Sequence, residues 1–178
     1  MTALARPLLL TALALAAGVS AARAFDEIKP PFGLAWGEPA ERLERLLKGV
    51  KAKVVARRPT HGGLEAWEVE GLAQKGLKRT LFYFRASELV EVELQYQRDD
   101  WDQAQYDEFM GQVRQAIQRR FGEGDLIARK REPAEHDVVQ TLVGYKWNQN
   151  NAAVELFYFC AQNAQNVFRT ISVHYKTH

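Results

Sequence analysis

A cysteine and a histidine late in the chain are the residues best suited to nucleophilic chemistry. Cys160 is the single cysteine of the 178 residues, and His174 follows at a spacing that could place the two on neighbouring strands. An imidazole beside a thiol would help to form the thiolate that attacks an acyl group. Nothing in the sequence would orient this imidazole or stabilise an oxyanion. We therefore predict no catalytic residue and interpret Cys160 as a small buried apolar side chain.

Two further histidines lie in similar predicted turns and could bind a metal ion. His61 stands in the first half of the chain, and His136 stands in the second half between Glu135 and Asp137. A zinc site needs three or four such ligands in close geometry, and the sequence does not bring the two turns together. The alternative is a pair of solvated turn histidines left by a duplication. We predict no metal and no other cofactor.

Basic residues recur in two matching segments. They are Arg57 and Arg58 in the first half, and Arg129, Lys130 and Arg131 in the second half. They could form a basic edge for an anionic partner, such as lipopolysaccharide phosphates or an acidic protein surface. Basic side chains on outer strands also keep sheets from joining edge to edge. Both interpretations stay open, and the second is the simpler one.

Neither motifs nor charge indicate nucleotide or nucleic-acid chemistry. The sequence contains no phosphate loop, dinucleotide fingerprint, CxxC pair, HExxH zinc helix or GxSxG nucleophile turn. Without Arg6 and Arg23, which lie in a predicted leader, 22 basic residues stand against 22 acidic ones. A neutral chain lacks the basic excess that nucleic-acid binding requires, so we predict no nucleic-acid partner.

The apolar run LFYF occurs at residues 81–84 and again at 156–159. In a strand, such a run places apolar side chains on both faces of the sheet, whereas a helix covers only one. We assign the phenylalanines of both runs to the covered face. The opposite face then carries the residues that we predict to bind a protein partner: Leu81, Tyr83, Arg85, Leu156 and Tyr158. The alternative is that a second sheet or a dimer partner covers them.

The patterns around these runs predict one helix and four strands, followed by the same set again. Helical spacing of apolar residues occurs at 37–49, and at 103–121 after a capping pair of Asp102 and Gln105. The predicted strands lie at 53–58, 64–70, 78–85, 89–96, 125–131, 138–147, 152–160 and 167–175. Short connections make each set of four an antiparallel meander.

The predicted fold is α+β, a tandem repeat of one helix packed on a four-stranded antiparallel meander sheet. The repeats span residues 25–98 and 99–178 and form one compact unit. The apolar stripe of the second helix, which includes Phe109, Val113 and Ile117, must cover one face of its sheet. We expect this stripe to lie on Phe157 and Phe159.

Residues 1–24 have the pattern of a signal peptide. Arg6 provides a positive start, an apolar run follows at 8–19, and Ala22 and Ala24 form a small-x-small cleavage site before Phe25. The run is too short for a comfortable membrane span. We predict a periplasmic or secreted protein with no membrane span after cleavage.

Two resemblances to known proteins accompany these patterns. Residues 32–37 (FGLAWG) and 39–43 (PAERL) resemble an opening found in many small bacterial envelope proteins. The doubled order of one helix and four strands resembles the tandem architecture of the beta-lactamase inhibitory protein. The resemblance implies binding of other proteins by the open face of the sheet, and it carries over no individual binding residue.

Three functions follow as hypotheses. The first is a non-enzymatic module that binds another envelope or secreted protein through the open sheet face. The second is a carrier of a small apolar or lipid-like ligand held between sheet and helices. The third is a minor hydrolase or metal-dependent activity, which would need Cys160 or His136.

Overall fold

In chain order, one helix and four strands are followed by a second helix and four more strands. The structure, a computed structural model, describes residues 25–135 and 137–178; the predicted signal peptide and His136 lie outside the described residues. The helices are α1 (Ala40–Lys48) and α2 (Gln103–Phe121). The strands are β1 (Lys53–Pro59), β2 (Leu64–Glu70), β3 (Leu77–Arg85), β4 (Glu88–Tyr96), β5 (Asp125–Pro133), β6 (Val139–Asn148), β7 (Ala152–Gln162) and β8 (Val167–Thr177).

All eight strands form one antiparallel sheet in the order β1-β2-β3-β4-β8-β7-β6-β5. Each set of four is a meander, and the two sets join where β4 pairs with β8 over residues 91–96 and 171–176. The predicted α+β class and antiparallel pairing are therefore confirmed. The expectation of a separate four-stranded sheet under each helix is wrong, because the pairing of β4 with β8 makes the sheet continuous.

Helix α2 forms where the sequence predicts it. The Asp102 side chain accepts from the Gln105 backbone N–H, and the Gln105 side chain accepts from the Asp102 N–H, so the predicted capping box is present. The helix ends before Gly122, whose φ of 86° a glycine adopts without strain. Its buried residues are Tyr106, Ile117 and Phe121, so the predicted apolar stripe does face the protein interior.

Both helices lie on the same side of the sheet, which we call the helix face. Helix α1 reaches β1 and β2 on this side, because Glu44 pairs with Arg57 at 2.6 Å and the Arg57 guanidinium lies over the Trp67 ring. Helix α2 packs further along the same face, where the rings of Tyr106 and Tyr158 are 6.3 Å apart. We call the other side the open face, because neither helix packs on it.

The two LFYF runs differ in which residues they turn toward the helices. In β3, Phe82 and Phe84 lie on the helix face as predicted, and both are buried. In β7 the assignment is reversed: Leu156 and Tyr158 are buried on the helix face. The register of β7 on β8 decides this, because Leu156 pairs with Val173 and Tyr158 with Ile171, which lie under α2.

Phe157 and Phe159 therefore lie on the open face, and the expectation that α2 packs on them is wrong. A shift of one residue moves every side chain of a strand to the opposite face. The Phe109 ring instead packs against Tyr96 and Trp101, at centroid distances of 5.1 and 5.0 Å.

Candidate functional site

An aromatic patch occupies the β6–β8 end of the open face. The Phe159 and Phe168 rings lie 6.2 Å apart, and Leu142 pairs directly across from Phe159. The Phe157 ring meets the His174 ring edge-on at 5.7 Å. Phe168 is 46% exposed, and the other two phenylalanines are half-buried. We define the aromatic patch as Leu142, Phe157, Phe159 and Phe168.

Two buried carboxylates on the open face are each held between two basic side chains. Glu68 accepts from Arg58 at 3.4 Å and from Arg79 at 3.0 Å. Glu155 pairs with Lys146 at 3.4 Å and with Lys176 at 2.7 Å. Burial pushes the pKa of Glu155 upward, but the hydrogen bonds and charges of the two lysines outweigh it and hold the pKa below its ordinary value. These carboxylates are satisfied within the chain.

A third buried carboxylate, Glu93, is held mainly by neutral groups. The Tyr83 hydroxyl donates to its Oε2 at 2.8 Å, and Gln95 Nε2 donates to its Oε1 at 2.5 Å. Burial, followed by the charge of Glu93, raises the pKa of Tyr83 well above its ordinary value. The Tyr83 hydroxyl therefore keeps its proton and acts as a fixed donor beside the middle of the face.

Next to this carboxylate, Glu91, His174 and Ser172 follow the order of an acid–histidine–serine triad. His174 Nδ1 lies 2.9 Å from Glu91 Oε1, and its Nε2 lies 3.1 Å from Ser172 Oγ. Glu93 Oε1 is also 3.8 Å from Nε2. With the proton on Nδ1, Nε2 would accept from the serine, which is the arrangement that activates a nucleophile.

The strands that carry this cluster do not direct backbone N–H groups toward Ser172. β4 and β8 are central strands with neighbours on both sides, so their backbone N–H groups lie in the plane of the sheet. An oxyanion forming above Ser172 would receive none of them, and the nearby Gln95 amide already donates to Glu93. Preorganised donors of this kind usually make the largest catalytic contribution to acyl transfer. The observed contacts of the cluster tie β4 to β8 where the two halves of the sheet meet.

The predicted binding residues do not form one surface. Tyr83 is half-buried and Arg85 is exposed, and both lie on the open face. Leu81 also lies on the open face but is only 4% exposed, because it sits between Glu68 and Glu93 on the adjacent strands. Leu156 and Tyr158 belong to the core under α2, so their predicted place on the open face is wrong.

The thiol–imidazole pair that the sequence leaves conceivable does not form. Cys160 and His174 lie on neighbouring strands, but Cys160 faces the helix side and His174 the open side, because the directly opposed residues are Cys160 with Arg169 and His174 with Glu155. The Cys160 thiol is buried. Among residues 25–135 and 137–178, no group of three or more His, Cys, Asp or Glu side chains could hold a metal ion.

The predicted basic residues lie on the two outer strands but differ in their surroundings. On β1, Arg57 is paired with Glu44 and Arg58 with Glu68. On β5, Arg129, Lys130 and Arg131 are all exposed, and within the described part of the chain none of them forms an ion pair. The two segments therefore do not meet and do not form one basic surface.

The space between α2 and the sheet is a small apolar groove of about 160 Å³. It is lined by side chains that include Leu94, Ile117, Val173 and Tyr175. A cavity of roughly 150 Å³ holds a molecule the size of benzene, whereas ligand sites usually measure about 300–1,000 Å³. The groove is therefore too small for a lipid chain.

Three comparisons with known proteins found no relative of this chain. The chain matches no protein-family model, no curated protein and no solved structure. Within the described ranges, neither helix combines the length and the apolar character needed to span a bilayer.

The open-face residues that sequence reasoning missed are Phe157, Phe159 and Phe168. The pattern of β8 contains the missing signal. Ile171, Val173 and Tyr175 alternate with Ser172 and His174, which identifies its covered face. What the sequence does not provide is the register that connects this face to β7.

Proposed function

We propose that this chain is a non-enzymatic binding module that holds another envelope or secreted protein on its open face. The aromatic patch is the observation that supports this most directly. Its three phenylalanine rings lie on a face that neither helix covers, and Phe168 is nearly half exposed. Aromatic side chains are enriched at protein interfaces, where a few anchor residues contribute most of the affinity.

The charged part of the face would supply specificity to the same interface. The ion pairs of Glu68 and of Glu155 lie on either side of the Tyr83 and Glu93 hydrogen bond. A partner must match this fixed arrangement of charges, because an unmatched charge at an interface costs several kcal/mol. An apolar anchor beside a charged, hydrogen-bonded surface is the composition of a specific interface.

The carrier of a lipid-like ligand is the less supported alternative. It would require an enclosed apolar volume, and the groove beneath α2 measures about 160 Å³. A lipid carrier should also retain ligand when it is purified from cells, which a protein-binding module should not.

We further propose that the two halves of the chain arose by duplication and that residues 1–24 direct export to the periplasm or beyond. The strand order around the β4–β8 junction is symmetric, since each half contributes its fourth strand to the centre and its first to an edge. This symmetry supports a tandem origin. The shared LFYF run supports it independently.

The binding function is tested by capturing partner proteins from a periplasmic extract with immobilised mature protein (residues 25–178). Phe168→Ser removes an exposed ring from the aromatic patch, and Val50→Ser, at a position 49% exposed after α1, is the matched control. Partners identified by mass spectrometry are then purified and titrated against each variant. We expect Phe168→Ser to weaken binding by about tenfold or more, with an unchanged melting temperature. Equal affinity of both variants would reject the patch as the interface.

A further inference from the structure

Within residues 25–135 and 137–178, the outer edge of β5 is a row of backbone groups without a neighbouring strand. β5 pairs with β6 on one side only and ends the sheet. Eight of its nine residues are exposed and Ala128 is half-buried. An outer strand of this kind can accept an extended segment of another chain by continuing the hydrogen-bond ladder.

The other edge of the sheet, β1, offers a contrasting case. The basic side chains Arg57 and Arg58 are neutralised by Glu44 and Glu68, and Arg57 also lies over the Trp67 ring at 3.8 Å. On β5 the three consecutive basic residues Arg129, Lys130 and Arg131 form no ion pair with any described residue. Their charge is therefore available to a ligand at this edge.

Two exposed apolar residues precede the basic run. Leu126 is 49% exposed and Ile127 is 46% exposed, and a bulge at Ile127 interrupts the pairing with β6. At roughly 3.3 Å per residue, a segment of about six residues would contact both the apolar end and the basic end. The edge therefore has an apolar position and a cationic position at a fixed separation.

A second copy of this chain is a poor occupant of the edge. Full antiparallel pairing of two β5 strands would place Arg129 opposite its own copy and bring both basic runs into one patch. Like charges directly opposed across strands are destabilising. An acidic strand would instead pair its carboxylates with these side chains.

We infer that β5 accepts an extended acidic segment of another protein as a ninth strand of the sheet. Backbone hydrogen bonds would provide the pairing, Leu126 and Ile127 an apolar contact, and Arg129, Lys130 and Arg131 the selection for consecutive Asp or Glu. The proposal is independent of the aromatic patch, which lies on the open face rather than at the edge.

Synthetic peptides test this inference on mature protein of residues 25–178. The probe is a fluorescent eight-residue peptide with three consecutive glutamates toward its N-terminus and an isoleucine–valine pair toward its C-terminus, so that antiparallel pairing matches β5. Two control peptides of the same sequence and charge carry backbone N-methyl groups, one on the odd-numbered residues and one on the even-numbered residues. We expect the unmodified peptide to bind and one of the methylated peptides to bind at least tenfold more weakly, because its methyl groups block the ladder.

Variants of the protein separate the edge from general charge. Arg129→Gln/Arg131→Gln should weaken binding about tenfold, whereas Arg45→Gln/Lys48→Gln, which changes the charge of α1 by the same amount, should not. Equal binding by both methylated peptides, or equal loss in both double variants, would overturn the inference. An absence of peptide binding would also overturn it. If the β5 variant then aggregated, the basic run would serve only to protect the edge.

Discussion

The Tyr158 hydroxyl donates a 2.9 Å hydrogen bond to Oε1 of Gln103, the first residue of α2. The same oxygen accepts from Arg169 Nε at 3.0 Å, so β7 and β8 both hold the start of the helix. Burial raises the pKa of Tyr158 to about 12, which keeps the hydroxyl protonated as a donor. Tyr158 is thus a core residue that positions α2.

Replacement of Tyr158 should reduce stability according to how much of the side chain is removed. Tyr158→Phe loses one hydrogen bond and should cost about 1 kcal/mol of unfolding free energy. Tyr158→Ala also leaves a cavity beneath α2 and should cost about 3–5 kcal/mol. Urea unfolding monitored by circular dichroism measures both. A loss below about 1 kcal/mol for the alanine variant would contradict the placement of Tyr158 in the core.

The wrong face of the second LFYF run shows where sequence reasoning reached its limit. The run predicts a strand with apolar residues on both faces, and β3 and β7 are such strands. Which residues face the helices depends on pairing with β4 and β8. Between β3 and β4 the register shifts by one residue beside the run, because Phe84 pairs with Leu89 but Tyr83 pairs with Glu91. β7 pairs with β8 in one continuous register, and a shift of one residue reverses the faces of a strand. The two runs have the same sequence, but their corresponding residues therefore lie on opposite faces of the sheet.

Gly144 is predicted to be a required glycine in β6. An added Cβ would lie 2.6 Å from Cε1 of Phe157 and 3.3 Å from Cβ of Ala128, so the phenylalanine ring would have to move. Gly144→Ala should therefore cost about 1–3 kcal/mol, as overpacking typically does.

A double-mutant cycle with Phe157→Ala provides the control for Gly144. Once the ring is absent, the added methyl has room, and the second substitution should cost less than it does alone. Thermal melts of the wild type, the two single variants and the double variant give the coupling free energy between the two positions. Strict additivity would mean that the ring does not restrict position 144.

The pH dependence of stability should include a contribution from Glu155. Its pKa is lowered in the folded chain by Lys176 and Lys146, so the unfolded chain takes up the proton first. The resulting stability is present above the unfolded pKa and is lost as pH falls through the folded pKa. Glu155→Gln should therefore lose less stability than wild type between about pH 5 and pH 3.

Urea midpoints at several pH values measure this contribution. Glu132→Gln, an exposed position on β5, is the matched control and should follow wild type. If Glu155→Gln showed the same acid dependence as wild type, the two lysines would not be stabilising the ionised carboxylate.

The helices were more predictable than the face because their signals are local. The capping box at Asp102 and the stripe ending at Phe121 lie within one segment, and a period of 3.6 residues identifies the covered side without reference to any other element. The aromatic patch instead depends on residues of β6, β7 and β8 that become neighbours only after pairing. His174 and Glu91 are 83 positions apart, so no spacing in the sequence indicates their contact.

The start of the mature chain is the last prediction, because the first described residues after the expected cleavage site are held in the fold. The Asp26 N–H donates to the Arg120 carbonyl at 2.9 Å, and its carboxylate pairs with Arg120 at 3.1 Å. Ile28 is fully buried, and its N–H donates to Gln149 at 2.7 Å. Cleavage before Phe25 would leave all these contacts intact. Protein exported by a bacterial host should therefore begin at or near Phe25, as read by N-terminal sequencing.

Truncated proteins distinguish the cleaved leader, residues 1–24, from the segment 25–29 that packs on the fold. Protein that begins at Phe25 should fold cooperatively, whereas protein that begins at Pro30 loses the buried Ile28 side chain and should be less stable by about 2–5 kcal/mol. Urea unfolding of both forms gives the difference. Retention of Arg6 in the exported protein would reject the signal peptide, and equal stability of the two truncated forms would reject the role of Ile28 in the core.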